Sequence, residues 1–237
     1  MCVYGRIDAW DHTGQKIHVP NVFVKGTGNY FQIKAYAGSV WVSLEMQPQC
    51  HHVITGLPAK SMRNNLYDLS EYIGKIDTED LYSQLKDIRD PNEIACRIDS
   101  ICGKHYDKWF TPRPVQQVLH YVLENKGLLN LSDLLYKFPY SERTLDRMFA
   151  REVGVSPHGF ITLVRFNYMI REVEDGQFNT LSELIDKYNY YDHSHFEKDF
   201  KRFLGQSIKE YKNAFNPLLT NSLQRLYHAD STSDSIV

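Results

Sequence analysis

Hydrophobic and polar positions follow a strand-like pattern in the first 56 residues and then change to a helical period. In the first stretch, short β-rich runs are separated by turn signals, among them Gly26-Thr27-Gly28-Asn29 and Ala37-Gly38-Ser39. The pattern predicts strands at 16–19, 22–24, 30–35, 40–46 and 53–54. These strands indicate part of an antiparallel sheet or a small barrel. No first strand is evident, so we expect that residues upstream of this chain complete the sheet.

Helical spacing begins after Gly56-Leu57-Pro58. One apolar face predicts a helix over 66–73, and a second helix is expected to open at Asp77. A third is expected from Asp90-Pro91, where an N-cap residue precedes a proline in the first turn. Cys102-Gly103 is its expected end.

The segment 111–114, Thr-Pro-Arg-Pro, predicts a domain boundary because its two prolines interrupt any continuous helix. Beyond it, the predicted helices are 115–125, 131–137, 142–153, 157–175, 181–187, 193–203 and 208–215. Residues 217–237 are polar and predict a flexible tail. The fold class is therefore α+β, with a β-rich α+β domain at 1–110 and an all-α domain at 113–216.

The all-α part contains an internal repeat, in which two similar segments lie about fifty residues apart. Segments 131–149 and 181–200 each begin with a short predicted helix that starts Leu-Ser-acidic residue-Leu. A turn follows, and then a second predicted helix whose segment ends in Phe. A short helix, a tight turn and a second helix make a helix-turn-helix unit, although a plain helical bundle can show the same repeat. The predicted helix 157–175 joins the two copies. Its length of about 28 Å approaches the roughly 34 Å between successive major-groove faces of DNA.

Two motifs carry a resemblance to a known family. They are Gly154-x-Ser156-Pro157-x-x-Phe160-Ile161-x-x-x-Arg165-Phe166 and Asp192-x-Ser194-x-Phe196-x-x-x-Phe200-Lys201-x-x-x-Gly205-x-x-x-x-x-Tyr211. With them, residues 113–216 resemble the AraC/XylS family of bacterial transcription regulators. The resemblance implies two helix-turn-helix subdomains joined by a linker helix, which bind double-stranded promoter DNA as activator or repressor.

Position by position, the resemblance assigns DNA contacts to the second helix of each unit. The residues are Arg143, Asp146, Arg147, His193, Ser194, His195, Lys198 and Lys201. Arg143 and Arg147 are four residues apart and so share a helix face, and arginine can donate two hydrogen bonds to guanine. Asp146 either accepts from cytosine or pairs with Arg143. Asp192 is expected to be an N-cap.

The repeat departs from the family pattern at the helix crossings and turns. Leu135 and Ile185 stand where a small alanine is usual, and Pro139 and Asn189 replace the turn glycine. Asparagine tolerates the left-handed conformation, so Asn189 is the milder change. Residues 113–216 carry 14 Lys+Arg against 14 Asp+Glu, a net formal charge of zero. The alternative is therefore an interaction module that keeps this fold and binds a protein.

The N-terminal part resembles the sensor or dimerisation domain of such regulators. Aromatic and histidine side chains that could line a small-molecule pocket are Tyr30, Tyr36, Trp41 and His52, and ordinary sheet and core positions are the alternative. Cys50-His51-His52 is a cluster of metal-capable residues. Strand alternation would place Cys50 and His52 on one face, with His12 or His18 as a third ligand, and an enzyme built on this cluster is a third possibility.

Composition narrows the remaining classes of function. Hydrophobic residues make up 42% and charged residues 24%, as in globular proteins, and no apolar run is long enough to span a membrane. Four cysteines without a CxxC motif indicate a reduced, cytoplasmic protein. No phosphate loop, HExxH motif or EF-hand loop is present. We predict no catalysis, cofactor or metal. The expected partners are promoter DNA, a small-molecule effector, RNA polymerase and a second copy of the chain.

Overall fold

The computed structural model describes residues 2–28, 31–43, 46–73, 75–86, 88, 90–109, 112–175 and 180–214. The chain divides into two compact units. The first unit comprises residues 1–120 and 134–157, and the second comprises 121–133 and 158–237. The first unit therefore contains the β-rich region together with most of the first helix-turn-helix, whereas the second contains the other one. The predicted tail at 217–237 lies outside the described residues, as does Tyr30.

Seven short strands lie among the described residues of the first unit. They are β1 (Cys2–Tyr4), β2 (Ile7–Trp10), β3 (Lys16–Ile17), β4 (Phe23–Lys25), β5 (Gln32–Ala35), β6 (Val40–Trp41) and β7 (Leu66–Asp68). All pairings are antiparallel: β1 with β6, β4 with β7, and β2 between β3 and β5. In the three-stranded sheet, Ala9 lies opposite Ile17 on one side and Ile33 on the other. The prediction of antiparallel strands in this region is confirmed.

The helices begin in the same region and continue to the end of the described chain. They are α1 (Cys50–Thr55), a 3₁₀ helix (Ala59–Met62), α2 (Ser70–Ile73), α3 (Lys75–Leu85), α4 (Pro91–Trp109), α5 (Pro114–Glu124), α6 (Leu131–Lys137), α7 (Glu142–Glu152), α8 (Pro157–Glu174), α9 (Leu181–Lys187), α10 (His193–Leu204) and α11 (Ile208–Ala214). From α5 onward each helix matches a predicted one to within a residue or two. The α+β fold class is confirmed.

Three local predictions are wrong. Residues 53–54 are not a strand, because α1 buries Cys50 and Ile54 four positions apart and ends at Gly56, whose φ of +71° suits a left-handed cap. Leu66 is not helical but begins β7, which pairs with β4. The third helix does not end at Cys102-Gly103, since α4 continues through it to Trp109, and a lone glycine costs a helix only about 1 kcal/mol.

Strands β1 and β2 were not predicted from the pattern. The central strand β2 has the sequence Ile-Asp-Ala-Trp, and its Asp8 is buried at 8% exposure, next to a buried Ala9. A buried carboxylate breaks the alternation by which a half-buried strand is recognised. The three-stranded sheet thus has its centre close to the start of the chain.

Candidate nucleic-acid interface

The first helix-turn-helix is formed by α6 and α7. The amide of Asp133 donates to Asn130 Oδ1 at 3.2 Å, and the amide of Asn130 donates to Asp133 Oδ2 at 2.7 Å, so the two residues cap the start of α6 reciprocally. Ser141 caps α7, and its Oγ accepts from the amide of Thr144 at 3.3 Å. Both caps bring hydrogen-bond partners to amides that a helix start leaves unpaired.

One face of α7 is buried and the opposite face is exposed. Leu145 and Phe149 are fully buried, as their spacing of four residues predicts. Arg143, Asp146 and Arg147 are all exposed. Among the described residues, no ion pair joins Asp146 to Arg143 or Arg147, so the alternative pairing of Asp146 with Arg143 is not observed. Two guanidinium groups and one carboxylate are therefore directed to solvent along this face.

The C-terminal end of α7 is held by an ionic cluster in the first unit. The Glu152 side chain is only 2% exposed, and its Oε2 lies 3.2 Å from Arg113 Nη1. Arg151 pairs with the other carboxylate oxygen. A carboxylate in the last turn of a helix opposes the helix dipole, so these two arginines offset an unfavourable position. The pair between Glu152 and Arg113 could not be predicted from the sequence pattern, because 39 positions separate the two residues along the chain.

The second helix-turn-helix is formed by α9 and α10, and its turn contains a left-handed residue at the position that corresponds to Pro139 of the first copy. Thr180 caps α9 and accepts from the amide of Glu183 at 3.2 Å. Asn189 takes the left-handed conformation with φ of +55°, and the amide of Tyr190 donates back to Ile185 O at 2.9 Å. The expected tolerance of Asn189 for this conformation is confirmed. Asp192 then caps α10 through the amide of His195 at 2.7 Å, as predicted.

Aromatic packing in the second unit fixes α10. Phe196 and Phe200 are fully buried, and the Phe200 ring lies 5.6 Å from that of Phe166 on α8, centroid to centroid. Tyr190 packs edge-on against Phe196 at 5.5 Å. Ile185 belongs to the same buried cluster, so its extra bulk, relative to the usual alanine, is taken up by the core. The matching position of the first copy, Leu135, is half-buried.

The outer face of α10 is exposed at every predicted contact position. These positions are His193, Ser194, His195, Lys198 and Lys201. Ser194 lies between two histidines, but consecutive helix residues point about 100° apart. Within the described part of the chain, no carboxylate hydrogen-bonds either imidazole. The arrangement offers hydrogen-bond donors and cations to a ligand approaching from solvent.

Two tyrosine–glutamate hydrogen bonds connect α8 to its neighbours in the second unit. Tyr188 donates to Glu172 Oε1 at 2.9 Å, and Tyr211 donates to Glu174. Burial and the adjacent carboxylate raise the pKa of each phenol, which therefore stays a donor. Lys187 adds an ion pair to Glu172 at 2.6 Å. These contacts position the C-terminal end of α9 and the middle of α11 and were not predicted.

The predicted pocket residues of the N-terminal region lie on separate elements. Tyr36 follows β5, Trp41 ends β6 with 40% of its surface exposed, and His52 is in α1 with Nδ1 2.8 Å from Leu57 O. Among the described residues, no hydrogen bond or ring contact joins these three side chains. Because α1 is a helix, the expectation that Cys50 and His52 share a strand face is wrong. No group of three or more metal-capable side chains occurs in the described ranges.

Tyr36 is instead part of a polar cluster on the three-stranded sheet. Its hydroxyl donates to Asp8 Oδ2 at 2.9 Å, and Arg6 and Lys16 pair with the same oxygen at 3.0 and 3.2 Å. Burial acts to raise the pKa of Asp8, but the hydrogen bonds from Tyr36, Arg6 and Lys16 outweigh it and lower that pKa to about 2. Lys34 lies over the Tyr36 ring at 5.0 Å. The Asp8 carboxylate is thus the shared hydrogen-bond acceptor of this polar cluster.

Comparison with protein families assigns the C-terminal region. A family model described as a helix-turn-helix domain, of the AraC type, matches residues 135–214. It spans α6 in part, α7 to α10 and all of α11. No curated protein and no solved structure matches the chain. None of the described helices combines the length and the apolar character needed to cross a membrane. Two capped helix-turn-helix copies and this match agree with the resemblance. Residues 135–214 form a helix-turn-helix domain of the AraC type, which supports a DNA-binding transcription regulator of the AraC/XylS kind.

Proposed function

We propose that the protein binds promoter DNA sequence-specifically, with α7 and α10 as its recognition helices. The observation that carries this proposal is the two-sided character of both helices. Each buries a pair of apolar residues four positions apart and exposes donors and cations on the opposite face. A helix of this kind fits the major groove, where base edges present their hydrogen-bonding groups.

The two helices offer different chemistry to DNA. Arg143 and Arg147 on α7 can each donate two hydrogen bonds to guanine O6 and N7. Exposed Asp146 between them can accept from cytosine N4 and would repel a phosphate, which favours base contact over backbone contact on this face. On α10, Lys198 and Lys201 are suited to phosphates, and His193 and Ser194 to base edges. We therefore assign more of the sequence preference to α7 and more of the electrostatic affinity to α10.

A salt series of DNA-binding titrations tests the proposal. The full chain is titrated by fluorescence anisotropy against the promoter region of its own gene and against a scrambled duplex. We expect tighter binding to one promoter segment and an affinity that falls as salt rises, since each neutralised phosphate releases counterions. Lys209→Ala is the matched control, because this exposed lysine lies on α11, outside both recognition helices. Equal affinity for both duplexes would refute sequence specificity.

The N-terminal region is proposed to control DNA binding through a small-molecule effector or through self-association. The support is the position of its strands in the same compact unit as α7. RNA polymerase and a second copy of the chain are further proposed partners, in the bacterial cytoplasm. Screening candidate effectors for a shift in operator affinity tests this control, and concentration-dependent sedimentation tests the homodimer. An unchanged affinity and a monomer at all concentrations would refute both routes.

A protein-interaction module is the second candidate function. The near-zero charge of residues 113–216 and the acidic Asp146 on the outer face of α7 favour it. It predicts no salt-dependent DNA binding at low ionic strength. The same titration therefore distinguishes the two functions.

A further inference from the structure

The C-terminal end of α7 rests on the N-terminal region, within the first compact unit. There α7 packs against both α1 and the 3₁₀ helix. We refer to Thr27 and the 3₁₀ helix Ala59–Met62 together as the α7 support. Ala59 and Met62 are buried at 2% and 0% exposure, and Phe149 and Val153 at the end of α7 are fully buried. The C-terminal end of α7 is therefore packed against buried residues of the N-terminal region.

A hydrogen bond joins the N-terminal region to the end of α7 across 126 positions of sequence. Thr27 Oγ1 donates to Val153 O at 2.9 Å. Val153 is the C-cap of α7, and helix-terminal carbonyls have no partner within the helix. The Thr27 hydroxyl therefore gives the Val153 carbonyl oxygen the hydrogen-bond donor that the helix does not supply. Loss of this donor would leave a buried carbonyl unsatisfied and would destabilise the folded state.

Gly154 brings the chain close enough for this contact. Its φ is +89°, a conformation that favours glycine. A Cβ atom at this position would lie 2.4 Å from Thr27 Oγ1 and 2.9 Å from Ala59 O. The backbone after α7 therefore touches the α7 support directly, and any side chain there would push the two apart.

The position of Thr27 is itself fixed by the N-terminal region. The amide of Gly26 donates to Asn65 O at 3.2 Å, and the amide of Asn64 donates to Thr27 O at 3.3 Å. A Cβ on Gly26 would lie 1.9 Å from Met62 O. The glycines that flank Thr27, noted in the sequence as a turn signal, thus allow this turn to pack against the 3₁₀ helix.

We infer that Thr27 is a positioning residue for DNA binding, which holds the C-terminal end of α7 so that Arg143 and Arg147 are presented at a fixed angle. This inference rests on the proposed function and extends it to a residue outside the helix-turn-helix. The α7 support acts from beneath the helix, because Arg143 and Arg147 remain exposed while the contact is made. It is therefore a support for the recognition helix and not a cover over it.

Thr27→Val tests the inference, because valine has the shape of threonine without the hydroxyl. We expect about a tenfold loss of operator affinity, the equivalent of about 1.4 kcal/mol. Thr27→Ser keeps the donor and is expected to restore binding to within about twofold, a change of about 0.4 kcal/mol. Circular dichroism of both variants confirms that they fold. Wild-type affinity in Thr27→Val would overturn the inference.

A double-mutant cycle separates positioning from general destabilisation. If Thr27 acts through α7, its effect on affinity shrinks toward nothing in an Arg143→Ala/Arg147→Ala background and persists in a Lys198→Ala background. An equal loss in both backgrounds would contradict the inference. Hydrogen exchange supplies a readout without DNA: the amides of Val153 and Gly154, both bonded to Phe149 O, should exchange faster in Thr27→Val. If the wild-type chain binds no DNA, the proposed function fails, and unchanged exchange would then also refute the support.

Discussion

The two helix-turn-helix copies share a sequence pattern but bury their second helices, α7 and α10, in different ways. In the second copy, α10 is fixed by aromatic rings of its own unit, with Phe196 and Phe200 at 0% exposure. In the first copy, α7 ends against the N-terminal region, with Thr27 hydrogen-bonded to Val153 and Arg113 paired with Glu152. Two similar copies of one motif are therefore stabilised by different kinds of contact. The second copy depends on packing, and the first depends on contacts with residues far away in sequence.

The largest expected effect is on the core of the second copy. Phe200→Ala removes a fully buried ring from the cluster around Phe166 and should lower the free energy of unfolding by about 3–5 kcal/mol. Chemical denaturation measures the loss. Tyr191→Ala is the control, because Tyr191 is 91% exposed, and it should change stability by less than about 0.5 kcal/mol. If the two copies are stabilised separately, the amides of α7 keep their protection from hydrogen exchange in Phe200→Ala. A loss of protection there would show that they are coupled.

The ionic contact of the first copy should give the next largest effect. Arg113→Ala removes one of the two ion pairs described for the buried Glu152 and should lower the free energy of unfolding by about 1–3 kcal/mol. Arg97→Ala removes an exposed pair to Glu93, at 4.0 Å, and should cost under about 1 kcal/mol. Equal losses in the two variants would mean that burial does not matter at this contact.

Affinity measurements distinguish the two recognition helices. Arg147→Ala should weaken operator binding by about 1–3 kcal/mol and relax the preference at one base pair. Lys201→Ala should weaken binding to all sequences alike and reduce the salt slope by about 1. Anisotropy titrations with single-base operator variants, at several salt concentrations, measure both. A uniform loss in Arg147→Ala would reassign this residue to a phosphate contact.

The left-handed turn of the second copy predicts a smaller effect on stability. Asn189 is left-handed at φ +55°, so Asn189→Ala should cost about 1 kcal/mol, whereas Asn189→Gly should be within about 0.5 kcal/mol of wild type. Thermal unfolding measures this pair. The opposite order would show that the Asn189 side chain, and not its backbone conformation, stabilises the turn.

The smallest effect is a loss of stability at low pH. It arises from Asp8, in the unit that carries most of the first copy. The pKa of Asp8 is lowered from 3.8 to about 2, so ionised Asp8 adds stability that is complete above about pH 4 and is lost as the pH falls toward 2. Asp8→Asn should remove this pH dependence. Tyr36→Phe, which deletes one hydrogen bond to the carboxylate, should move the loss to higher pH. Acid titration of the unfolding free energy measures all three proteins, and identical profiles would contradict the assignment.

Local signals explain where prediction from sequence succeeded. Helices α6 and α9 have the predicted bounds, because Asn130 and Thr180 provide caps and the apolar spacing of each helix is read within one short window. The exposed faces of α7 and α10 also follow from spacing alone. In contrast, Cys50–Thr55 resembled a strand, because a helix of six residues is too short to show its period.

The sequence by itself therefore determined the resemblance of residues 113–216 to AraC-type domains, the helix-turn-helix repeats and the exposed faces of α7 and α10, because each of these depends on residues within a few turns of one another. Only the tertiary structure showed the burial of Asp8 in the central strand, the pair between Arg113 and Glu152, and the contact of Thr27 with Val153. These interactions join positions from 28 to 126 residues apart, as for Tyr36 with Asp8 and Thr27 with Val153. No periodicity records such partners, since their proximity arises only when the chain folds.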